Sequence, residues 1–190
     1  FISISPVFTP PKEANAAPLT VAFYSTVSGP VISSGTFGDV VFVYATGVTP
    51  TVADFTSCSI TAPVSNVVTE ATAMVFGSKV YGSFRVGNGP GAPGGAPYTI
   101  TVTCGSDSGT ASFTVVPSIT ISPPIALVLS GIATRTVSIV GRGFKSDYNG
   151  ACSISDDGVP PATAGPPAPT CTITGGTVAG YFTLVSTPGV

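Results

Sequence analysis

Two segments of this chain share one pattern, and that repeat constrains the fold more than any other feature. The first runs SGTFGDVVFVYATGV from Ser34 to Val48 and reaches CSIT at Cys58 to Thr61. The second runs SGIATRTVSIVGRGF from Ser130 to Phe144 and reaches CSIS at Cys152 to Ser155. In each, a Ser-Gly turn opens a strand, a glycine ends it, and a loop leads to a cysteine that starts another strand. Internal repetition in 190 residues favours two units of similar design.

Alternation of apolar and polar residues, with Gly and Pro at the breaks and no apolar 3-4 spacing, excludes helices and predicts short strands. Strands at roughly 8 to 12 residue spacing predict an all-β protein of two tandem antiparallel sandwiches. The first is expected over 1-117 with an N-terminal extension, 1-33, and the second over 118-190. Aligning the repeats on their glycines pairs Val41 with Val137 and Val43 with Ile139, which are the predicted inward positions. The first core strand is apolar on its other face too, through Val40, Phe42 and Tyr44, where the second has Thr136, Ser138 and Val140. A strand apolar on both faces calls for cover on both. Phe42 and Tyr44 are therefore expected to be buried, under residues 18 to 31 or under a neighbouring chain.

The clearest hairpin is YTITVTC, Tyr98 to Cys104, returning as ASFTVV, Ala111 to Val116. Its inward set is Tyr98, Ile100, Val102 and Cys104, opposite Ala111, Phe113 and Val115. The second unit begins near Ser118 with SITISP, an echo of SISP at Ser3 to Pro6, and follows the first through Val178, Gly180, Phe182 and Leu184. It then reaches STPGV with no counterpart of the hairpin, so the second sandwich is expected to be incomplete. The first unit instead has a surplus: FISISPVFT, and PLTVAFYSTV at Pro18 to Val27, the latter with no counterpart in the second unit. An incomplete sheet exposes unpaired backbone groups, which a strand from a neighbour satisfies. The expected donor is the first segment, through Phe1, Ile2, Ile4 and Val7.

The opening ISP, the strand ending GRGF at Gly141 to Phe144 and the closing YTITVT resemble IPT/TIG-like and related Ig-like repeats of prokaryotic extracellular and surface-layer proteins. The likeness covers most of residues 34 to 184. The first unit departs from it with Ala45, Thr46, Gly47 and Val48 in place of GRGF. The resemblance implies a tandem sandwich used for spacing, adhesion or assembly, and no catalytic residue. In its logic, the surplus strand and incomplete sheet resemble donor-strand-complemented filaments.

Charged residues are 7% and the net charge is −2, so nothing suits the chain to neutralise nucleic-acid phosphates. With no histidine, His-based triads are excluded and a zinc site is disfavoured. Eight acidic residues lie mostly in turns; Asp156 and Asp157 are read as turn formers rather than a catalytic pair. A calcium site from Asp147, Asn149, Asp156 and Asp157 lacks the spacing of known loops. No cofactor is expected. The absence of tryptophan weighs against a carbohydrate-binding module, although six tyrosines remain as stacking surfaces. Isopeptide bonds from Lys12, Lys79 or Lys145 are a lesser alternative.

Four cysteines without a CxxC favour two disulfides and an oxidising compartment. With two cysteines in each unit, the expected pairs are Cys58 with Cys104 and Cys152 with Cys171; pairing across units is the alternative. No apolar run reaches the roughly 20 residues of a membrane-spanning helix. The combined expectation is a non-enzymatic, extracellular or cell-surface homopolymer subunit, with O-glycans open. The alternative is a fragment of a longer Ig-like adhesin, stalk or surface-layer protein.

Overall fold

The computed structural model describes residues 18-87, 97-122, 134-144, 149-154 and 169-185. The protein is all-β, as the alternation predicts, with one nine-stranded and one five-stranded sheet. In the first unit the strands are β1 (Thr20–Tyr24), β2 (Val31–Ile32), β3 (Ser34–Thr36), β4 (Val40–Thr46), β5 (Ser57–Thr61), β6 (Val68–Phe76), β7 (Lys79–Val86), β8 (Pro97–Cys104) and β9 (Asp107–Val116). Their order is β2-β1-β4-β7-β6-β5-β8-β9-β3. β5 pairs with β6 through Cys58 and with β8 through Ser59 to Thr61, so the sheet turns a corner there and faces itself.

The core lies between the two layers. Val41, Val43, Ala45, Val80, Phe84 and Val86 come from β4 and β7. Tyr98, Ile100, Val102, Phe113 and Val115 come from the β8–β9 hairpin. At the centre, Phe23, Phe84 and Phe113 meet edge to face, with ring centroids 5.5 to 5.9 Å apart. Asp107, at the hairpin turn, is also buried; its Oδ2 accepts hydrogen bonds from the Thr49 amide at 2.7 Å and the Thr49 hydroxyl at 2.9 Å. That pair ties the loop after β4 to the hairpin.

The second unit contributes β10 (Ser118–Ser122), β11 (Thr134–Arg142), β12 (Gly150–Ala151), β13 (Thr170–Thr174) and β14 (Thr177–Val185), in the order β10-β11-β14-β13-β12. Its registers copy those of the first sheet. Val43 stands opposite Phe23 on one side and Gly82 on the other; Ile139 stands opposite Ile121 and Gly180. The β6–β7 hairpin and its equivalent, β13–β14, both turn on two positive-φ residues, Gly77-Ser78 and Gly175-Gly176, as two-residue loops require. The first amide of each turn donates at 2.9 Å to a side chain from the preceding loop, Asp54 in one unit and Asn149 in the other. Glycine at 82 and 180 has a steric cause. A Cβ there would lie 2.5 Å from the carbonyl oxygen of Thr72 or Thr170.

These registers correct two expectations. Residues 20-32 are not part of an extension: β1 and β2 belong to the first sheet, β1 directly beside β4. Nor is Pro18 to Val27 a surplus without counterpart. By register, β1 is the equivalent of β10, so Thr20–Tyr24, rather than SISP at residues 3 to 6, matches SITIS. The sequence hid this because Val21 and Phe23 share only their alternation with Ile119 and Ile121. The inward residues Val137, Ile139 and Val178 are buried as expected.

Equivalent positions thus have opposite environments. Phe23 is 2% exposed, while Ile121 is 46% exposed. Replacing Phe23 by Ala is expected to cost about 3 to 5 kcal/mol in denaturant unfolding, and Ile121→Ala less than about 1 kcal/mol. Alkaline stability tests the other layer. Burial raises the Tyr98 hydroxyl above its ordinary pKa of 10.0. The neutral form is favoured in the folded state, so this contribution is complete below the unfolded value and is lost as pH rises through the folded one. Melting temperature should therefore fall faster above about pH 10 in the native chain than in Tyr98→Phe.

Candidate functional site

Two surfaces lack the cover that their sequence calls for, and both are placed by comparing the units. The first is β10. It pairs with β11 on one side and ends the strand order on the other, so among the described residues its second edge has no neighbour. The equivalent edge of β1 is covered by β2, with Phe23 opposite Ile32 and Tyr24 opposite Val31. Ile119 and Ile121 lie on the inward face of β10, yet they are 58% and 46% exposed. In the first unit Phe113, from the closing hairpin, packs on the residue equivalent to Ile121. No strand equivalent to that hairpin occurs among the described residues of the second unit. An edge strand with two exposed isoleucines presents both unpaired backbone groups and an apolar face.

Both disulfides form within a unit: Cys58 with Cys104, and Cys152 with Cys171. Their geometry differs in an informative way. Cys58 lies opposite Ala73 on β6 and reaches across to Cys104 at the end of β8. Cys152 holds the position of Cys58, with its amide donating to the Cys171 carbonyl at 3.1 Å. Cys171, opposite Gly180, occupies the position of Ala73, which is opposite Gly82. The second unit therefore closes its disulfide between neighbouring strands and needs no cysteine from a closing hairpin.

The second surface is the outer face of β1, β4, β7 and β6. Residues 18 to 31 do not lie over Phe42 and Tyr44 as one expectation had it. Hydrogen bonding to the edge of β4 puts Tyr24 opposite Phe42 and Ala22 opposite Tyr44, in the plane of the sheet. Neither ring is buried within the chain; both are half-buried. They line an open groove of about 370 Å³ with Tyr24, Val27 and Tyr81. The Tyr24 and Tyr44 centroids are 6.5 Å apart, those of Tyr44 and Tyr81 5.4 Å, with planes inclined by 83° and 67°. Lys79 stands over the Tyr44 ring, 5.7 Å from its centroid. A hydrogen bond to Tyr44, and then electrostatic interaction with Tyr44 and Tyr81, raise its pKa. Sequence reasoning singled out Phe42 and Tyr44 but missed Tyr24 and Tyr81; their alternation phase was the available signal.

The proposed donor residues Phe1, Ile2, Ile4 and Val7 lie outside the described residues, as do Lys12, Lys145, Asp147, Asp156 and Asp157. Asn149, from the considered calcium set, caps the β13–β14 turn through its Oδ1.

The disulfides are compatible with an extracellular location. No helix among the described residues is long and apolar enough to cross a membrane. Cysteine separations of 46 and 19 residues give different loop-closure terms. Removing Cys58–Cys104 as a double serine variant should cost about 4 kcal/mol, and removing Cys152–Cys171 about 3 kcal/mol, by denaturant unfolding. No family model, no curated protein and no solved structure matches the chain.

Proposed function

We propose that the chain is a non-enzymatic structural subunit of an extracellular filament or surface array, joined head-to-tail by β-strand addition. The observation that supports it is β10, an edge with no neighbour among the described residues, whose Ile119 and Ile121 are exposed where Val21 and Phe23 pack into a core. Residues 1 to 9 of a neighbouring copy are the donor in this reading. FISIS set antiparallel to SITIS places Ile2 and Ile4 on the face of Ile119 and Ile121, with Ser3 on the face of Thr120. By the same alternation Phe1 and Val7 fall on the opposite face, with Ser3. Backbone hydrogen bonds then supply affinity, and alternate side chains supply specificity. Donor and acceptor occupy different surfaces, so the contact propagates.

The disulfide arrangement agrees with this reading. A donor from another chain needs no cysteine, because Cys152 already has its partner in Cys171. The second reading is a segment of a longer Ig-like adhesin or surface-layer array, in which the covering strands come from the same polypeptide. What favours it is the junction. Pro117 alone separates β9 from β10, and the Phe37 ring packs on Gly143, where a Cβ would lie 2.7 Å away. Units joined so closely suit a tandem stack.

Electron microscopy of the secreted chain tests the proposal. Polymers are expected from the native chain and should disappear on deleting residues 1 to 9 or on Ile121→Lys. Polymers that survive both changes would overturn strand addition at β10.

A further inference from the structure

The two units provide an internal control for the aromatic groove. Both sheets have the same strand order and register over four strands, so their outer faces have the same structural requirements. In the first unit one row across that face reads Ala22, Tyr44, Tyr81 and Met74. The equivalent row in the second reads Thr120, Val140, Ala179 and Thr172. The adjoining row carries Tyr24, Phe42 and Ser83 in one unit and Ser122, Ser138 and Tyr181 in the other. Apart from Val140 and a single aromatic, Tyr181, small and hydroxyl side chains fill these rows, so the clustered aromatic set of the first unit is not required by the fold.

We infer that this outer face is a lateral interface, covered by the same face of a second copy of the chain. Its makeup is that of an interface core: aromatic residues and a methionine, with charge depleted. Apart from Lys79 and the Arg85–Glu70 ion pair at its margin, the face carries no charge among the described residues to repel a like surface. Met74 is 50% exposed and Phe76 56%, and Phe55 extends the patch against Phe76, with centroids 5.9 Å apart.

The area suffices for such a pair. Four strands of about seven residues cover about 19 by 23 Å, on the order of 900 Å² for two faces before side-chain relief is counted. Relief brings this to the ~1,000 Å² that a specific contact needs. Twisted antiparallel sheets stack at about 10 Å with their side chains interdigitated, and the steeply inclined tyrosines supply ridges for that packing. An isologous contact needs one patch only. It differs in place and symmetry from strand addition at β10, so end-to-end growth and side-to-side pairing are separable.

The experiment uses a chain carrying Ile121→Lys, which blocks end-to-end growth, and measures association by sedimentation equilibrium. Dimers are expected at micromolar concentration. Phe42→Ser, Tyr44→Val and Tyr81→Ala together give the first sheet the residues of its twin, Ser138, Val140 and Ala179. They should raise the dimer dissociation constant at least about 100-fold, with unchanged strand content by circular dichroism. If this triple variant unfolds, Tyr81→Lys alone replaces it. A Tyr81→Cys chain should form an intermolecular disulfide on mild oxidation. A chain that stays monomeric, or a folded face variant that dimerises as tightly as its parent, overturns the inference. So does maltohexaose quenching tyrosine fluorescence in a chain that remains monomeric, which would make the groove a sugar site. If native polymers vanish without residues 1 to 9 but dimerisation fails, only the lateral interface is lost.

Discussion

The structure depends on covering the inner face of a four-stranded sheet with a second layer. In the first unit the contact that does this is the edge-to-face cluster of Phe23, Phe84 and Phe113, one ring from each of β1, β7 and β9. Phe113 stands on the closing hairpin, so the hairpin makes Phe23 a core residue. In the second unit, whose described residues include no such hairpin, Ile121 holds the same register and is exposed. Burial at this position is decided by the layer above the strand, not by the strand itself.

The disulfides follow the same division. Cys58 sits at the corner where the sheet folds over, and its bond to Cys104 pins the covering hairpin to the strand it must cover. Cys152 sits at the same corner but bonds to its neighbour Cys171, a link that braces the sheet's edge. Moving the partner cysteine to the position of Ala73 frees the second unit from a covalent need for its own hairpin.

The outer faces show how one scaffold carries two surfaces. Threonine, serine and alanine, with only Val140 and Tyr181 larger, keep the second unit's face compatible with water. Tyrosine, phenylalanine and methionine give the first unit a face that water covers poorly. Period-two alternation lets inner and outer sets vary independently, so the core of β4 is unaffected by what Phe42 and Tyr44 do.

By itself the sequence determined the fold class, the inward sets of β4, β8, β9 and β11 and the disulfide partners. All of these rest on local alternation, on glycine and proline chemistry, or on two cysteines per unit. What it misplaced was non-local. β1 was separated from its equivalent β10 because strand pairing depends on register with β4 and β11, not on resemblance between TVAFY and SITIS. The sequence predicts cover for Phe42 and Tyr44 from residues 18 to 31 or from a neighbouring chain, and the alternation of residues 18 to 31 is the same whether a strand lies over a sheet or beside it. Only tertiary structure decides that choice, because hydrogen bonding to the free edge of β4 satisfies backbone groups that stacking above it would leave unpaired. That same choice gathers Tyr24, Tyr44 and Tyr81, from three separate strands, into one groove.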